Sequence, residues 1–487
     1  MDQAKILSKK QIYQLVTSLL IALFWVIFLW HFWDRGIYAL GINSSVFLLL
    51  VFLFWGKNIK EQQIFSRSNL FWIIPIFFII LGYAIYENPF LKIINIFVLP
   101  VIFTIAFNYA LLPERKKIHW HLSFFFRLFF SRFFGSLAKV PESGIQHSRL
   151  FYRSDKKRST VKQVAIGLFL LFVVAGFFVI PLLSAADPDF AGSMSWLSDW
   201  ITSFISLELV GKIALAYAWS VFLLAVFLVW KKPLELKEAK ADTRADSIIS
   251  GIVIGGILLL YILFLTIQLG HLWVNVLPVD FGQTEVLVKS GFWQLMLLSG
   301  INIVIFFFSY RRTNKVVQAI LLAFTLASLL LLASAAYRMF LYVRFYGLSY
   351  EKFFASYAVL YCAILYLWLI FRSIARKKID VIKFLFFLFL WMYAVINIFP
   401  VEQFIIRSNV YLAQLNDSRI NIYESRILSP DVLTYVRDNK DQYFMKINHH
   451  DDSEVDWSEW IGEQEEIVNA KSWYELNLVD VMYKLKY

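Results

Sequence analysis

The stretch Ser334–Lys352, SAAYRMFLYVRFYGLSYEK, closes one of the most apolar runs in the chain and then sets down Arg338, Arg344 and Lys352. Reading back from Arg338, no charged residue occurs until Lys315, which follows Arg311 and Arg312. At about 1.5 Å per residue, the 22 steps from Val316 to Arg338 rise about 33 Å, just past a hydrocarbon core of about 30 Å. The run therefore predicts a helix that enters a membrane behind a basic loop and delivers Arg338 to the opposite headgroup level. Tyr337, Tyr342 and Tyr346 suit the aromatic belt expected at that level.

Working outward, the same pattern recurs throughout the 487 residues, of which 59% are hydrophobic and 18% aromatic. The mean hydropathy is +0.63. Eleven apolar runs are legible, near 12–33, 37–56, 69–86, 90–111, 161–184, 209–230, 247–270, 291–309, 316–343, 353–371 and 380–399. Only helices and closed barrels satisfy their backbone in lipid, and alternating strand patterns are absent. The expected fold class is all-α: a polytopic helical membrane bundle of about eleven spans with a short, mainly helical, extracytoplasmic C-terminal region. The expected organisation is a four-span segment over 1–111, a basic aromatic segment over 112–160, a seven-span core over 161–400 and an acidic region over 401–487. The apolar stretch that follows Lys9 and Lys10 is longer than a signal-peptide core and lacks a small-residue cleavage site, so it reads as a retained first span. The single cysteine, Cys362, lies in an apolar run and reads as packing.

Charge sets the expected orientation. Lys5, Lys57, Lys60, Arg67, Lys231, Lys232, Arg311, Arg312, Arg372 and Arg376 fall in alternate loops, whereas SAADPDFAGSMSWLSDWITSFISLEL, residues 184–209, has no basic residue. The positive-inside rule then places the N-terminus in the cytoplasm and the C-terminus outside, in a bacterial cytoplasmic membrane. Residues 113–160 interleave Phe124–Phe126, Phe129, Phe130, Phe133 and Phe134 with Arg127 and Arg132. Beside a membrane this predicts interfacial helices whose cations face headgroups, and no nucleic-acid role. Residues 401–487 carry nine Lys/Arg against sixteen Asp/Glu, while the rest of the chain carries 38 against 19. That contrast marks a separate region, with Ser429, Pro430 and Asp431 opening a helix and Trp457, Trp460 and Trp473 as apolar anchors.

The outer loops are otherwise poor in cations, so Arg338, Arg344 and Lys352 need compensation. The candidate outer-face site comprises Arg338, Tyr342, Arg344, Tyr346 and Lys352 with Asp187 and Asp189. Its expected partners are acidic groups of the chain or an anionic lipid or solute, for which arginine supplies a planar fork. LLASAAYRMFLYVRFYGLSYEKFFA resembles the signature of polytopic bacterial membrane proteins described as domain of unknown function 4173. LLSAADPDFA, TEVLVKSGFWQL and SWYELNL are weaker echoes. Lys289 and Lys352 depart from that pattern, which has arginine at both places. The resemblance implies architecture and an outer-face motif, with no established activity.

Other constellations point to bland roles. NHHDDSEVD groups His449, His450, Asp451, Asp452 and Asp456 without the spacing of a metal site and reads as a solvated acidic turn. Gly251 and Gly255 form a small-xxx-small face for helix packing. No catalytic motif is present, and the expectation is a non-enzyme without cofactor or metal. Binding or transport of an anionic lipid or solute is the first functional reading. A scaffold or sensor working through the acidic region is the alternative, and a membrane-embedded enzyme on a lipid-linked substrate the third.

Overall fold

The computed structural model describes residues 8–56, 67–111, 122–151, 207–230, 246–269, 281–310, 312–375, 381–415, 420, 422–439 and 457–487. The described residues are helical apart from turns and short connections. In chain order the helices are α1 (Lys9–Phe28), α2 (Ile42–Gly56), α3 (Arg67–Ile85), α4 (Pro89–Leu111), α5 (Leu122–Ala138) and α6 (Val140–Phe151). There follow α7 (Leu207–Trp230), α8 (Ser247–Leu269), α9 (Phe281–Ser309), α10 (Lys315–Tyr346) and α11 (Tyr350–Ala375). The last are α12 (Val381–Ile398), α13 (Val401–Ala413), α14 (Leu433–Asp438), α15 (Trp457–Asn469) and α16 (Leu478–Lys486).

Eight of these, within α1, α4 and α7 to α12, are long and apolar enough to cross a membrane. A bent pair, Phe32–Ala39 with Ile42–Gly56, raises the number to nine if it forms one span. The apolar part of α3, Leu70–Ile85, is shorter than the others. The protein is a multi-pass integral membrane protein. The expected run at 161–184 lies outside the described residues.

The described chain forms two compact units. The first comprises residues 1–34, 46–64 and 127–233. Here α1 packs along α7, with Trp25 and Trp219 ring centroids 5.5 Å apart and Leu15, Ile21, Leu223, Leu224 and Phe227 in the core. Buried hydroxyls provide polar contacts: the Ser18 and Ser220 oxygens are 3.1 Å apart, and Ser220 Oγ lies 2.7 Å from His147 Nε2. His147 Nδ1 lies 2.9 Å from the Ser143 carbonyl, and burial lowers the imidazole pKa. The expectation that Arg132 would face headgroups is corrected. Arg132 is buried, and its Nη1 donates to the Val229 carbonyl at 2.6 Å, where the end of α7 leaves acceptors without helical partners.

The second unit comprises residues 35–45, 65–126 and 234–487. One layer is built on α10, which packs against α8, α9 and α11 around Phe306, Phe324, Leu331 and Tyr366. Interhelical polar links run from the Tyr261 hydroxyl to Asn302 Oδ1 (2.6 Å) and from Asn302 Nδ2 to Ser328 Oγ (2.9 Å). Gly251 approaches α10, since a Cβ there would lie 3.2 Å from Val317, whereas Gly255 faces open space. In the second layer α3 lies against α12, where a Cβ on Gly82 would stand 2.7 Å from the Asn397 carbonyl. Asn95 Nδ2 donates to Asn397 Oδ1 at 2.7 Å between α4 and α12. The C-terminal helices contribute a further core of Ile405, Ile406, Leu433, Val436, Trp457 and Trp460. Trp473, expected as a third anchor, is 75% exposed because it sits in the turn between α15 and α16.

Candidate functional site

The opening stretch ends as a capped helix. α10 terminates at Gly347, whose φ of +74° lies in the left-handed region that glycine adopts without a Cβ clash. Asn409 of α13 clamps the next residue, accepting from Leu348 N–H at 2.6 Å and donating to the Leu348 carbonyl at 2.9 Å. A side chain at position 347 would press within 3.0 Å of Asn409 Oδ1 and Ile420 Cγ2, so the turn is closed on two grounds. Lys352 folds back onto this helix end. Its ammonium donates to the carbonyls of Tyr346 (3.1 Å) and Gly347 (2.9 Å) and lies 4.3 Å from the Tyr342 ring centroid. A cation here complements the negative end of the α10 dipole.

The expected site residues thus divide. Tyr342, Tyr346 and Lys352 are buried together, with the two tyrosine rings 5.4 Å apart. Arg338 is half-buried and Arg344 exposed on α10, and neither pairs with a carboxylate among the described residues. Asp187 and Asp189 lie outside the described residues, as do Lys289's side chain and the His449–Asp456 stretch.

Beside this turn, α10, α11 and α13 enclose a groove of about 510 Å³. Ala336, Met339 and Phe340 line it from α10, Phe353 and Leu360 from α11, and Phe404 from α13; Ser356, Tyr357, Ser408 and Tyr411 add polar atoms. Arg344 lies one helical turn beyond Phe340, and Arg407 lies within a turn of Phe404 and Tyr411. Both arginines are exposed; the Arg344 guanidinium lies 5.8 Å from the Phe345 ring centroid and that of Arg407 5.4 Å from the Tyr435 ring centroid.

The second concentration of chemistry was not foreseen from the sequence. Between α3 and α4, Glu87 is fully buried. Its carboxylate lies 2.6 Å from the Lys471 ammonium, 3.1 Å from that of Lys92, and accepts from Asn477 Nδ2 at 2.8 Å. Lys471 also binds Asp480 at 2.7 Å. Asp431 accepts the backbone N–H groups of Glu87 (2.8 Å) and Asn88 (3.1 Å). Glu402 accepts from Ser429 N–H and Oγ, each at 2.7 Å, and from the Tyr350 hydroxyl. Arg35 pairs with Glu475 at 2.8 Å.

Burial pushes Glu402 up to about 6, against the opposing pull of its hydrogen bonds from Tyr350 and Ser429. Burial and the neighbouring Glu402 charge push Asp431 well above the usual carboxylate range. For Lys471 burial acts downward, but Glu87 and Asp480 outweigh it and hold the ammonium above its ordinary value. A sequence signal did exist. Lys92 is an ionisable residue inside an apolar run, which by itself marks a position where a buried partner is needed.

Among the described residues, no group of three or more His, Cys, Asp or Glu side chains has the arrangement of a metal site. No curated protein and no solved structure matches the chain. A family model does match, described as Domain of unknown function (DUF4153), over residues 73–438. This overturns the resemblance to domain of unknown function 4173. The motif behind that resemblance, tyrosines and arginines at a helix end followed by a glycine turn, is what interfacial anchoring and C-capping favour in any membrane helix. The matched region takes in most of the chain, which belongs to the DUF4153 family.

Proposed function

We propose that this integral membrane protein binds a membrane lipid, with an acyl chain in the groove between α10, α11 and α13. The observation that carries the reading is that groove: about 510 Å³, lined mainly by apolar side chains, on two helices long and apolar enough to span. Arg344 and Arg407, exposed on two of the helices that line the groove, are the cations available to an anionic headgroup, since guanidinium matches phosphate oxygens bidentately. Lys352 supports the site from behind by holding the α10 end in place. The alternation of basic loops supports an outer-face groove in a bacterial cytoplasmic membrane, with the N-terminus in the cytoplasm.

Native mass spectrometry of the detergent-purified protein tests this. The wild-type chain should retain lipid, and Leu360→Trp with Ser408→Trp should reduce retention several-fold by filling the groove. Retention unchanged in that double variant overturns the reading. A reporter active only in the cytoplasm, fused after Tyr487, should stay silent; activity overturns the orientation.

A second reading, a scaffold or sensor acting through residues 401–487, is favoured by the buried ion network that joins Lys471 and Asp480 to Glu87. Photo-cross-linking in cells from Glu463 tests it. A discrete protein adduct supports it, and the absence of any adduct removes it.

A further inference from the structure

The last helix of the chain exposes an apolar stripe beside Lys484 and Lys486. In α16, Val479, Asp480 and Tyr483 are buried, while Leu478, Met482 and Leu485 are 50%, 60% and 83% exposed. At about 100° per residue those three exposed side chains fall within an arc of about 60°, forming a continuous apolar stripe. Trp473, 75% exposed, adds an indole just before the helix. A helix that hides an aspartate and presents leucine, methionine and leucine is poorly matched to water.

Its place in the fold accounts for the exposed stripe. The preceding segment is joined to the start of α2, where Ile42 N–H donates to the Leu476 carbonyl at 3.1 Å and Asn43 N–H to the Tyr474 carbonyl at 2.9 Å. Asp480 itself is tied through Lys471 to Glu87, two residues before the span that begins at Pro89. α16 is therefore held at the level where the apolar spans end. There the surroundings are neither water nor hydrocarbon, and a helix with one apolar face is stable lying in the plane of the interface. Tryptophan is enriched at the same level.

We infer that α16 is a membrane-surface helix: its Leu478–Met482–Leu485 stripe, with Trp473, docks into the headgroup region of the protein's own bilayer. The buried face, through Asp480 and Tyr483, fixes the helix to the protein, and the stripe anchors it to lipid. This contact is separate from the groove at α10 and stands or falls independently of it.

The full-length protein carrying Cys362→Ala leaves no native thiol, so a bimane label on Leu485→Cys reports from one place. In nanodiscs of phosphatidylcholine and phosphatidylglycerol containing 5-doxyl lipid, its emission should be quenched at least twofold more than that of a label on Glu463→Cys. Glu463 is an exposed polar position on α15. Met482→Cys gives an independent reading if the first variant is not monodisperse. Quenching equal to the Glu463 control overturns the inference. So does a label shielded from water yet unquenched by lipid, which would mean that a protein covers the stripe.

Discussion

The Lys471 ammonium stands 2.6 Å from the Glu87 carboxylate, across 384 residues of sequence, with both side chains almost completely withdrawn from solvent. Asp480 takes a second bond from the same ammonium at 2.7 Å and also caps α16 by accepting from Asn477 N–H. One lysine therefore fixes the end of the chain to the turn between α3 and α4.

Replacing Lys471 by Met should be costly, because it strips the buried Asp480 of its ion-pair partner and leaves Glu87 with Lys92 alone. Removing one member of a buried pair costs about 3–5 kcal/mol. Lys139→Met, which breaks an exposed pair with Glu142, should cost about 1 kcal/mol or less. Thermal unfolding in detergent should show a large drop in midpoint for the first variant and little change for the second.

Lys352→Met keeps the aliphatic stem and removes the donor from the carbonyls of Tyr346 and Gly347. Charge-assisted hydrogen bonds to buried acceptors contribute about 1.5–3 kcal/mol, so a loss of that size is expected. Arg338→Leu should change stability by about 0.5 kcal/mol, as for other positions away from buried partners. Denaturation of the two variants side by side distinguishes a helix cap from a surface cation.

Stability should depend on pH through Glu402. Its folded-state pKa, about 6, is raised above the ordinary glutamate value of 4.5, so the folded protein holds this proton more tightly than the unfolded chain. Stability from this group is full below the ordinary value and declines as pH rises from about 4.5 to about 6, then levels off. The change amounts to about 2 kcal/mol. Glu402→Gln should flatten that part of the profile, measured by thermal shift between pH 4.5 and 7.

Gly41 tolerates no side chain. A Cβ there would stand 2.0 Å from the Glu475 carbonyl oxygen, a backbone atom that cannot yield without moving the segment. Gly41→Ala should free residues 474–476 and expose the Asn43 amide, which now donates to Tyr474. Gly462→Ala, with open space at the Cβ and a helical setting, should be neutral or stabilise by about 0.5–1 kcal/mol. Amide hydrogen exchange at Asn43 reads out the difference.

Transfer free energy alone made the spans legible. The run expected at 316–343 falls within α10, and that at 353–371 within α11, because an apolar stretch long enough to cross hydrocarbon has few alternatives to a helix. Ser429 was likewise readable as a cap, and its side chain accepts from Asp431 N–H, although the first turn is a tight 3₁₀ turn. Such features depend on residues a few positions apart.

Where each charge finds its partner was decided only by the tertiary structure. Arg338, Arg344 and Lys352 looked equivalent in sequence, yet Lys352 turns inward onto helix carbonyls while Arg344 stays exposed. Trp457 and Trp460 are core residues and Trp473 is not, though all three look alike in an acidic region. Glu87, Lys92, Lys471 and Asp480 meet because α3, α4 and the C-terminal helices pack at one place. Hydropathy is a local property of the chain, but the compensation of a buried charge requires a partner brought by folding from anywhere along it.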